Sequence, residues 1–425
     1  MDVAIDRRSA LGSESEASAP PLILPGEHFA AALAFLVLGA IALIALAPEL
    51  AHGVFFAPRV VAAVHLFTLG WIMLSIFGAL CQFLPVAVGR RLRFQALAHV
   101  TFVLQVLGTA GFVTGLFVAD RALIIAGATT LSAAFVLFAS NLAATLALVR
   151  ERSLTWWALA GACVFVVVTP VYGVLLQLNI EQSLGIHRFH VIAVHAHVAI
   201  VGVVLMTIVG VAHRLIPMFL LSHGASERPA WIALALLFSG AVLLALPLGG
   251  IALDAVGGVL SAGGVIAFAV QAVLFARARK RRAIDAGMRL AAAGMFGLLA
   301  ATVIGPFAFA RGLGDLHLLV AYFWVLLGAI ALFIAGHYYK IVPFLIWYHR
   351  FGPLVGTRKV PKVAELFSQR AAGINAMLLV TGYAGLAFAL GFGSVVLARG
   401  FASVFALGVL VEVVAMVRIA RRRPA

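Results

Sequence analysis

The sequence predicts an all-α integral membrane protein with twelve transmembrane helices in three pseudo-threefold four-helix arcs. Three observations give this prediction. Hydrophobic residues make up 64% of the 425 residues and charged residues only 11%, which is more apolar side chain than one soluble core can bury. Long apolar segments recur along the chain, and one of these segments occurs in three related copies. The lipid bilayer is therefore the expected surroundings.

Each apolar segment is long enough to cross a hydrocarbon layer of about 30 Å as a helix. The first 26 residues are polar and partly acidic, which predicts a disordered cytoplasmic tail before a membrane domain at 27–420. The twelve predicted spans are 28–47, 60–86, 94–118, 122–149, 155–178, 189–220, 230–250, 253–276, 287–311, 316–347, 371–393 and 397–418.

An internal repeat relates predicted helices 2, 6 and 10. Aligned on proline, the copies are HLFTLGWIMLSIFGALCQFLP (65–85), HVAIVGVVLMTIVGVAHRLIP (197–217) and FWVLLGAIALFIAGHYYKIVP (323–343). Glycine occurs at the same two positions of all three copies. Because small residues let membrane helices approach closely, we interpret these glycines as structural. The spacing of four helices between copies predicts three repeat units, at about 27–150, 151–282 and 283–420.

Positive charge is concentrated on one side of the predicted membrane. With the amino terminus inside, all but five of the 30 lysines and arginines fall on the inner side. This asymmetry predicts that both termini are cytoplasmic, in a bacterial-type inner membrane. The net charge of +15 therefore reflects basic loops beside the membrane surface, and no nucleic-acid partner is expected. The five exceptions are Arg59, Arg121, Arg188, Arg311 and Arg399.

The histidines are the candidates for chemistry. His65 and His197 occupy the first position of two repeat copies, where the third copy has Phe323, so we expect both imidazoles at similar depth near the outer face. An imidazole that faces lipid is energetically costly, so a histidine inside the membrane is expected to face the helix bundle and to mark a functional site. We therefore predict that His65 and His197 hold one haem between them. The alternative is a purely structural hydrogen bond between helices.

Two further histidines precede His197. His195 lies two positions earlier, a rotation of about 200° on a helix, so it is predicted to face away and to serve a second haem or metal. His190 returns to the face of His197 about two turns nearer the outer surface. Three interpretations of His190 remain open: ligand of a second metal, partner of a haem propionate, or residue of the interface. His213 and His337 are predicted to lie toward the inner side, away from this site.

The twelve helices, the three-arc repeat and the H-x-H at 195–197, with Pro217 twenty residues after it, resemble the haem-copper oxidase subunit I superfamily. That superfamily is taken to include the nitric oxide reductases and the related NnrS proteins. The resemblance implies that the H-x-H helix stands between two cofactor positions and that the helix 2 histidine completes a low-spin pair. It implies a b-type haem, together with a second haem or copper.

The chain also departs from the oxidases of this superfamily. They carry H-x-H on helix 10, whereas this chain has it on helix 6, and predicted helix 7 contains no histidine for a copper site. No acidic residue is expected deep in a helix, since Glu412 is placed near an inner end. The NnrS proteins, which are associated with haem, copper and relief of nitric oxide stress, resemble residues 195–217 more closely.

Three functions are compatible with these residues. The first is a haem protein that handles electrons or a gas such as nitric oxide near the outer face. The second is a catalytic oxidoreductase subunit that works with a partner cytochrome or a quinol. The third is a transport or assembly factor for haem or copper, which the scarcity of methionine disfavours for copper. The sequence has no C-x-x-C-H motif, so electrons are expected from a quinol or another protein. It does not predict an oligomeric state.

Overall fold

The computed structural model describes residues 21–182, 187–246, 250–281 and 283–424, and helices dominate this part of the chain. We number the long helices in chain order. They are α1 (Ile23–Ala45), α2 (Pro58–Val88), α3 (Gln95–Val118), α4 (Arg121–Leu146), α5 (Leu154–Gln182), α6 (Arg188–Leu220), α7 (Arg228–Leu244), α8 (Gly250–Arg277), α9 (Ala286–Arg311), α10 (Leu316–Arg350), α11 (Gln369–Gly391) and α12 (Val395–Ala420).

Eleven helices among the described residues are long and apolar enough to cross a membrane. The protein is therefore a multi-pass integral membrane protein. The remaining helix, α7, is apolar but has only 17 residues, and the predicted span at 230–250 continues into residues 247–249, outside the described part. The prediction of membrane helices is thus confirmed for eleven of the twelve segments.

The amino-terminal prediction is only partly testable. Residues 1–20 of the expected tail lie outside the described residues. The remainder of that tail is not disordered, because α1 begins at Ile23 and Leu24 is already buried. Residues 23–26 are apolar apart from a proline and a glycine, and a proline in the first turn of a helix breaks no backbone hydrogen bond.

Side-chain caps fix where five of the helices begin. In each, an aspartate or serine just before the first turn accepts a hydrogen bond from the backbone N–H three residues later. These bonds satisfy backbone donors that have no partner within the helix. The capping residues are Asp120, Asp285, Asp315, Ser368 and Ser394.

The most buried helices are the three that carry the sequence repeat. The most apolar window of α2 is 72% buried, and those of α6 and α10 are 67% buried, whereas most of the other long helices are only about a third buried. Helices adjacent in sequence pair as α1 with α2, α3 with α4, α5 with α6, α7 with α8, α9 with α10 and α11 with α12. Further contacts join α4 to α5, α8 to α9 and α12 to α1. The repeat helices therefore form the interior, and the others face outward with many exposed apolar side chains.

The repeated glycines lie at close helix contacts. A Cβ atom added to Gly70 would be 2.5 Å from the Cβ of Phe35 on α1, and one added to Gly78 would be 2.7 Å from the Cβ of His28. Matching glycines in α6 and α10 are equally tight against neighbouring helices. The structural interpretation of these glycines agrees with this packing.

Two of the three repeat helices contain a π turn. α2 is π-helical at Leu66–Met73 and α6 at Val198–Leu205, so each π turn begins directly after His65 or His197. α10 runs as a continuous α-helix through the matching Phe323. Such turns are often found at functional sites.

Candidate functional site

Among the described residues, His65 and His195 form a pair of neighbouring histidine rings. His65 lies on α2 and His195 on α6, both in the amino-terminal third of the helix. Their ring centroids are 6.3 Å apart, and the ring planes are tilted by 32°. The sequence paired His65 with His197 instead.

Hydrogen bonds fix the tautomer of both rings in this pair. Nδ1 of His65 is 2.7 Å from the carbonyl oxygen of Val61, and Nδ1 of His195 is 3.1 Å from that of Thr169 on α5. A carbonyl only accepts, so each Nδ1 carries the proton and donates it. Each Nε2 is then left with a free lone pair, the form in which histidine binds a metal.

Both rings of the pair have small or aromatic neighbours. His65 and His195 are half-buried, although they lie among the most buried helices. The Phe112 ring of α3 meets His65 edge-on at 5.1 Å. On the other side, Gly173 has no side chain to press on His195, and a Cβ there would lie 3.4 Å from its Cε1. The Nδ1 bonds leave the Nε2 of each ring as the nitrogen available to a ligand.

His197 makes a different set of contacts. Its Nδ1 donates to the carbonyl oxygen of Ala193 at 2.8 Å, and its Nε2 accepts from the hydroxyl of Tyr322 on α10 at 3.0 Å. The His197 and Tyr322 rings are nearly parallel, and Phe323 lies 5.9 Å from His197. Both ring nitrogens of His197 are therefore already hydrogen-bonded. In this structure His197 contacts α10, and the histidine ring near His65 is that of His195.

The opposite orientation of His195 and His197 is confirmed. His195 contacts α2 and α5, whereas His197 contacts α10. Two residues on a helix are separated by about 200°, which fixes their angle to each other but not which of them faces α2. That choice depends on how α6 is rotated in the bundle. Rotation is set by packing against the neighbouring helices, which the sequence does not specify.

His190 is paired with a carboxylate. Its Nδ1 is 3.3 Å from Oδ2 of Asp254 on α8, whose side chain is 14% exposed. Asp254 also lies close enough to act electrostatically on His197. The sequence singled out neither Asp254 nor Tyr322. Their positions in the sequence could have indicated both residues. Asp254 is the only acidic residue of its helix, and Tyr322 precedes Phe323, which aligns with His65 and His197.

The carboxy-terminal halves of the repeat helices enclose a separate apolar cavity of about 70 Å³. Its wall includes His337, whose Nδ1 donates to Phe333 while Nε2 has no partner. Ser75 and Tyr338 also line it and are joined by a hydrogen bond of 2.8 Å. His213 lies outside the lining, with its Nε2 3.3 Å from Glu227. Neither His337 nor His213 contacts the His65 pair, in agreement with the sequence.

Glu412 is an acidic residue buried between helices. The sequence placed it near an inner helix end; in the structure its side chain is fully buried, and neither carboxylate oxygen has a hydrogen-bond partner among the described residues. It lies beside Asn375 on α11 and close to Tyr338 and Tyr339. Helix α12 packs against α11, α1 and α10, so a side chain on its inward face is enclosed by other helices.

The described residues contain no group of three or more histidine, cysteine, aspartate or glutamate side chains placed to hold a metal ion. The chemistry available to the site is therefore that of two facing imidazoles. Comparison with known proteins assigns nothing further, since no family model and no curated protein matches the chain. The resemblance to the haem-copper oxidases stays a prediction.

Proposed function

We propose that this protein is a haem-binding membrane protein in which His65 and His195 would hold one haem between them. Its function on this proposal is electron transfer, or handling of a small gas such as nitric oxide, within the membrane. The observation that carries the proposal is the spacing of the two rings, whose centroids are 6.3 Å apart, together with the free Nε2 of each.

The spacing suits one metal atom between the rings. Metal–imidazole bonds are about 2.0–2.1 Å long, so a metal bound by two Nε2 atoms separates the ring centroids by roughly 6 Å. Both rings already donate Nδ1–H to backbone carbonyls, which orients them and raises the basicity of Nε2. The donor set therefore fits a metal that needs two protein ligands.

Haem is a metal group that needs only two ligands from the protein. A bare zinc ion takes about four ligands, and calcium takes six to eight oxygens, and the described residues hold no such cluster. Haem iron brings four nitrogens of its own and takes axial ligands from the protein. When bound, it would supply one-electron chemistry, while Val61 and Thr169 keep the ligand tautomers fixed and Phe112 shields His65.

Two axial histidines favour electron transfer over gas handling. With both histidines holding the group, the protein would leave no position for a gas, and the haem would supply electron transfer. His197 adds no open position, because Tyr322 occupies its Nε2. A catalytic oxidoreductase subunit or a haem or copper carrier remains the alternative. The electron donor on this proposal is a quinol or a cytochrome.

The finer architecture is part of the same proposal. We infer twelve spanning helices in three four-helix units, with both termini in the cytoplasm of a bacterial-type inner membrane. The contacts of α4 with α5, α8 with α9 and α12 with α1 are what three successive units closing into a ring require. The interior contacts also follow a cyclic order, since His65 on α2 meets α6 and His197 on α6 meets α10.

Optical spectra of purified variants test the proposal. The wild-type protein should show sharp α and β bands on reduction. His65→Ala and His195→Ala should each lose these low-spin bands, because each removes one axial ligand. His197→Ala is the matched control, on the same helix and two residues away, and should keep them.

Two results would contradict this assignment. A stable but colourless wild-type protein would exclude haem binding. Loss of the bands in His197→Ala with retention in His195→Ala would restore the pairing predicted from the sequence. Carbon monoxide added to the reduced protein separates the two functions, because a band shift requires an open or exchangeable position on the iron.

A further inference from the structure

A basic pocket lies where α10 and α12 end. Its volume is about 250 Å³, and it is formed by the segment after α10 and the segment after α12. Among the described residues that line it, four are cationic and one, Glu365, is acidic. The apolar side chains of Phe351 and Leu366 also line it and are themselves buried. The four cations are Arg358, Lys359, Arg422 and Arg423.

Both walls of this pocket are held in place by hydrogen bonds. The indole N–H of Trp347 donates to the carbonyl oxygen of Pro361 at 2.6 Å, which fixes the segment after α10. Arg350 donates to the carbonyl oxygens of Ala420 and Arg422, each at 2.6 Å, which fixes the segment after α12. The basic residues are therefore carried by segments anchored to one helix, α10, and the pocket is preorganised.

Positive charges outnumber negative ones among the described residues that line the pocket. Lys359, Arg422 and Arg423 carry three positive charges beside the single carboxylate of Glu365, whose Oε2 already accepts from the backbone N–H of Lys362 at 3.0 Å. Like charges gathered around one cavity repel each other, and an anion with several oxygens would relieve that repulsion. Arginine is well suited to this, because its planar guanidinium donates to phosphate in pairs.

We propose that this pocket binds a phosphate group. The group belongs either to the headgroup of an anionic phospholipid or to a free phosphate compound, and both offer the same oxygens and charge. The position at the ends of two membrane helices puts the pocket near the level of the headgroups, where basic pockets recruit anionic lipids. This site is remote from the histidine pair and independent of the haem proposal.

Thermal unfolding of the full-length protein in a neutral detergent tests the phosphate site. One arm adds phosphatidylglycerol, with phosphatidylcholine as the uncharged comparison. The other adds inorganic phosphate, with chloride at the same ionic strength. Stabilisation by phosphatidylglycerol alone identifies a lipid headgroup, and stabilisation by inorganic phosphate as well identifies a general phosphate site. No stabilisation by either compound overturns the proposal.

The matched variants are Lys359→Gln/Arg423→Gln in the pocket and Arg90→Gln/Arg91→Gln in the exposed loop between α2 and α3. Each pair removes two positive charges. The pocket pair should weaken the apparent affinity about 30-fold, since each basic residue near the surface contributes about a factor of five. The control pair should leave it nearly unchanged, and an equal loss in both overturns the proposal.

A further measurement on the wild-type protein guards against a pocket variant that fails to fold. Binding should weaken as sodium chloride is raised, because salt screens surface charges over about 10 Å at 0.1 M. The single variant Arg422→Gln should weaken binding about fivefold. Binding that is insensitive to both salt and Arg422→Gln would contradict a phosphate contact.

Discussion

The hydroxyl of Tyr322 determines what His197 is able to do. It donates to Nε2 of His197 at 3.0 Å, so the ring has no lone pair left for a metal. His195, two residues earlier, has no such partner at Nε2 and faces His65 instead. Two chemically identical side chains on one helix therefore take different roles, and the difference comes from a single neighbour on α10.

We expect Tyr322→Phe to destabilise the protein while leaving the haem bands of the His65 and His195 pair intact. Hydrogen bonds between membrane helices contribute on average about 0.6 kcal/mol and at most about 1.7 kcal/mol. The free energy of unfolding should decrease by an amount within that range. A double-mutant cycle with His197→Phe measures the coupling directly. Strictly additive effects of the two changes would show that the bond contributes nothing.

At the scale of helices, close packing and π turns together place the histidines. Gly70 and Gly202 lie within the π turns of α2 and α6, and their lack of side chains lets Phe35 and Phe165 of neighbouring helices pack directly against them. A π turn also leaves backbone groups free for other partners. The carbonyl oxygen of Leu69 accepts from the Gln105 side chain on α3 at 3.2 Å. The irregular stretches of backbone are thus tied to the helices around them.

Gly70→Ala should destabilise the protein by about 1–3 kcal/mol, because the added methyl group would overlap Phe35 in a packed interior. Gly258→Ala on α8 is the control, since no atom lies within 4 Å of a Cβ at that exposed position. It should leave stability unchanged or raise it by up to about 1 kcal/mol. Thermal unfolding of both variants checks the contrast. Equal midpoints would show that α1 and α2 separate easily at this contact.

At the scale of the whole molecule, the sequence predicted the membrane helices well and the site only in part. Apolar length is a local property, so the spans could be read without knowing the packing. The partner of His65 depends on the rotation of α6, and the burial of Glu412 depends on which helices cover α12. Asp254 and Tyr322 were missed for the same reason, because each becomes significant only through a residue on another helix.

Fusions that report membrane topology distinguish a protein with twelve spans from one with eleven. Alkaline phosphatase, which forms its disulfides only outside the cytoplasm, should be inactive when fused after residue 227 and active when fused after residue 247. That change requires Arg228–Leu244 to cross the membrane. A fusion at the carboxy terminus should be inactive, because both termini are expected inside. Equal activity at 227 and 247 would leave eleven spans and put the two termini on opposite sides.

The π turns also change which residues of the three repeat copies correspond in space. His65, His197 and Phe323 each stand five residues before the first repeated glycine, so they align without a gap. A π turn takes up one residue more than an α turn, and α10 has no π turn at this place. The direction taken by His65 on α2 therefore belongs on α10 to Trp324, whose ring lies 6.1 Å from Phe67. The three copies align in sequence without a gap, but side chains that point in the same direction differ by one residue between α10 and the other two helices. With this shift, Trp324 of α10 corresponds to His65 of α2, and Tyr322 corresponds to His195 of α6. The third unit therefore has aromatic side chains at the positions where the other two units have imidazoles.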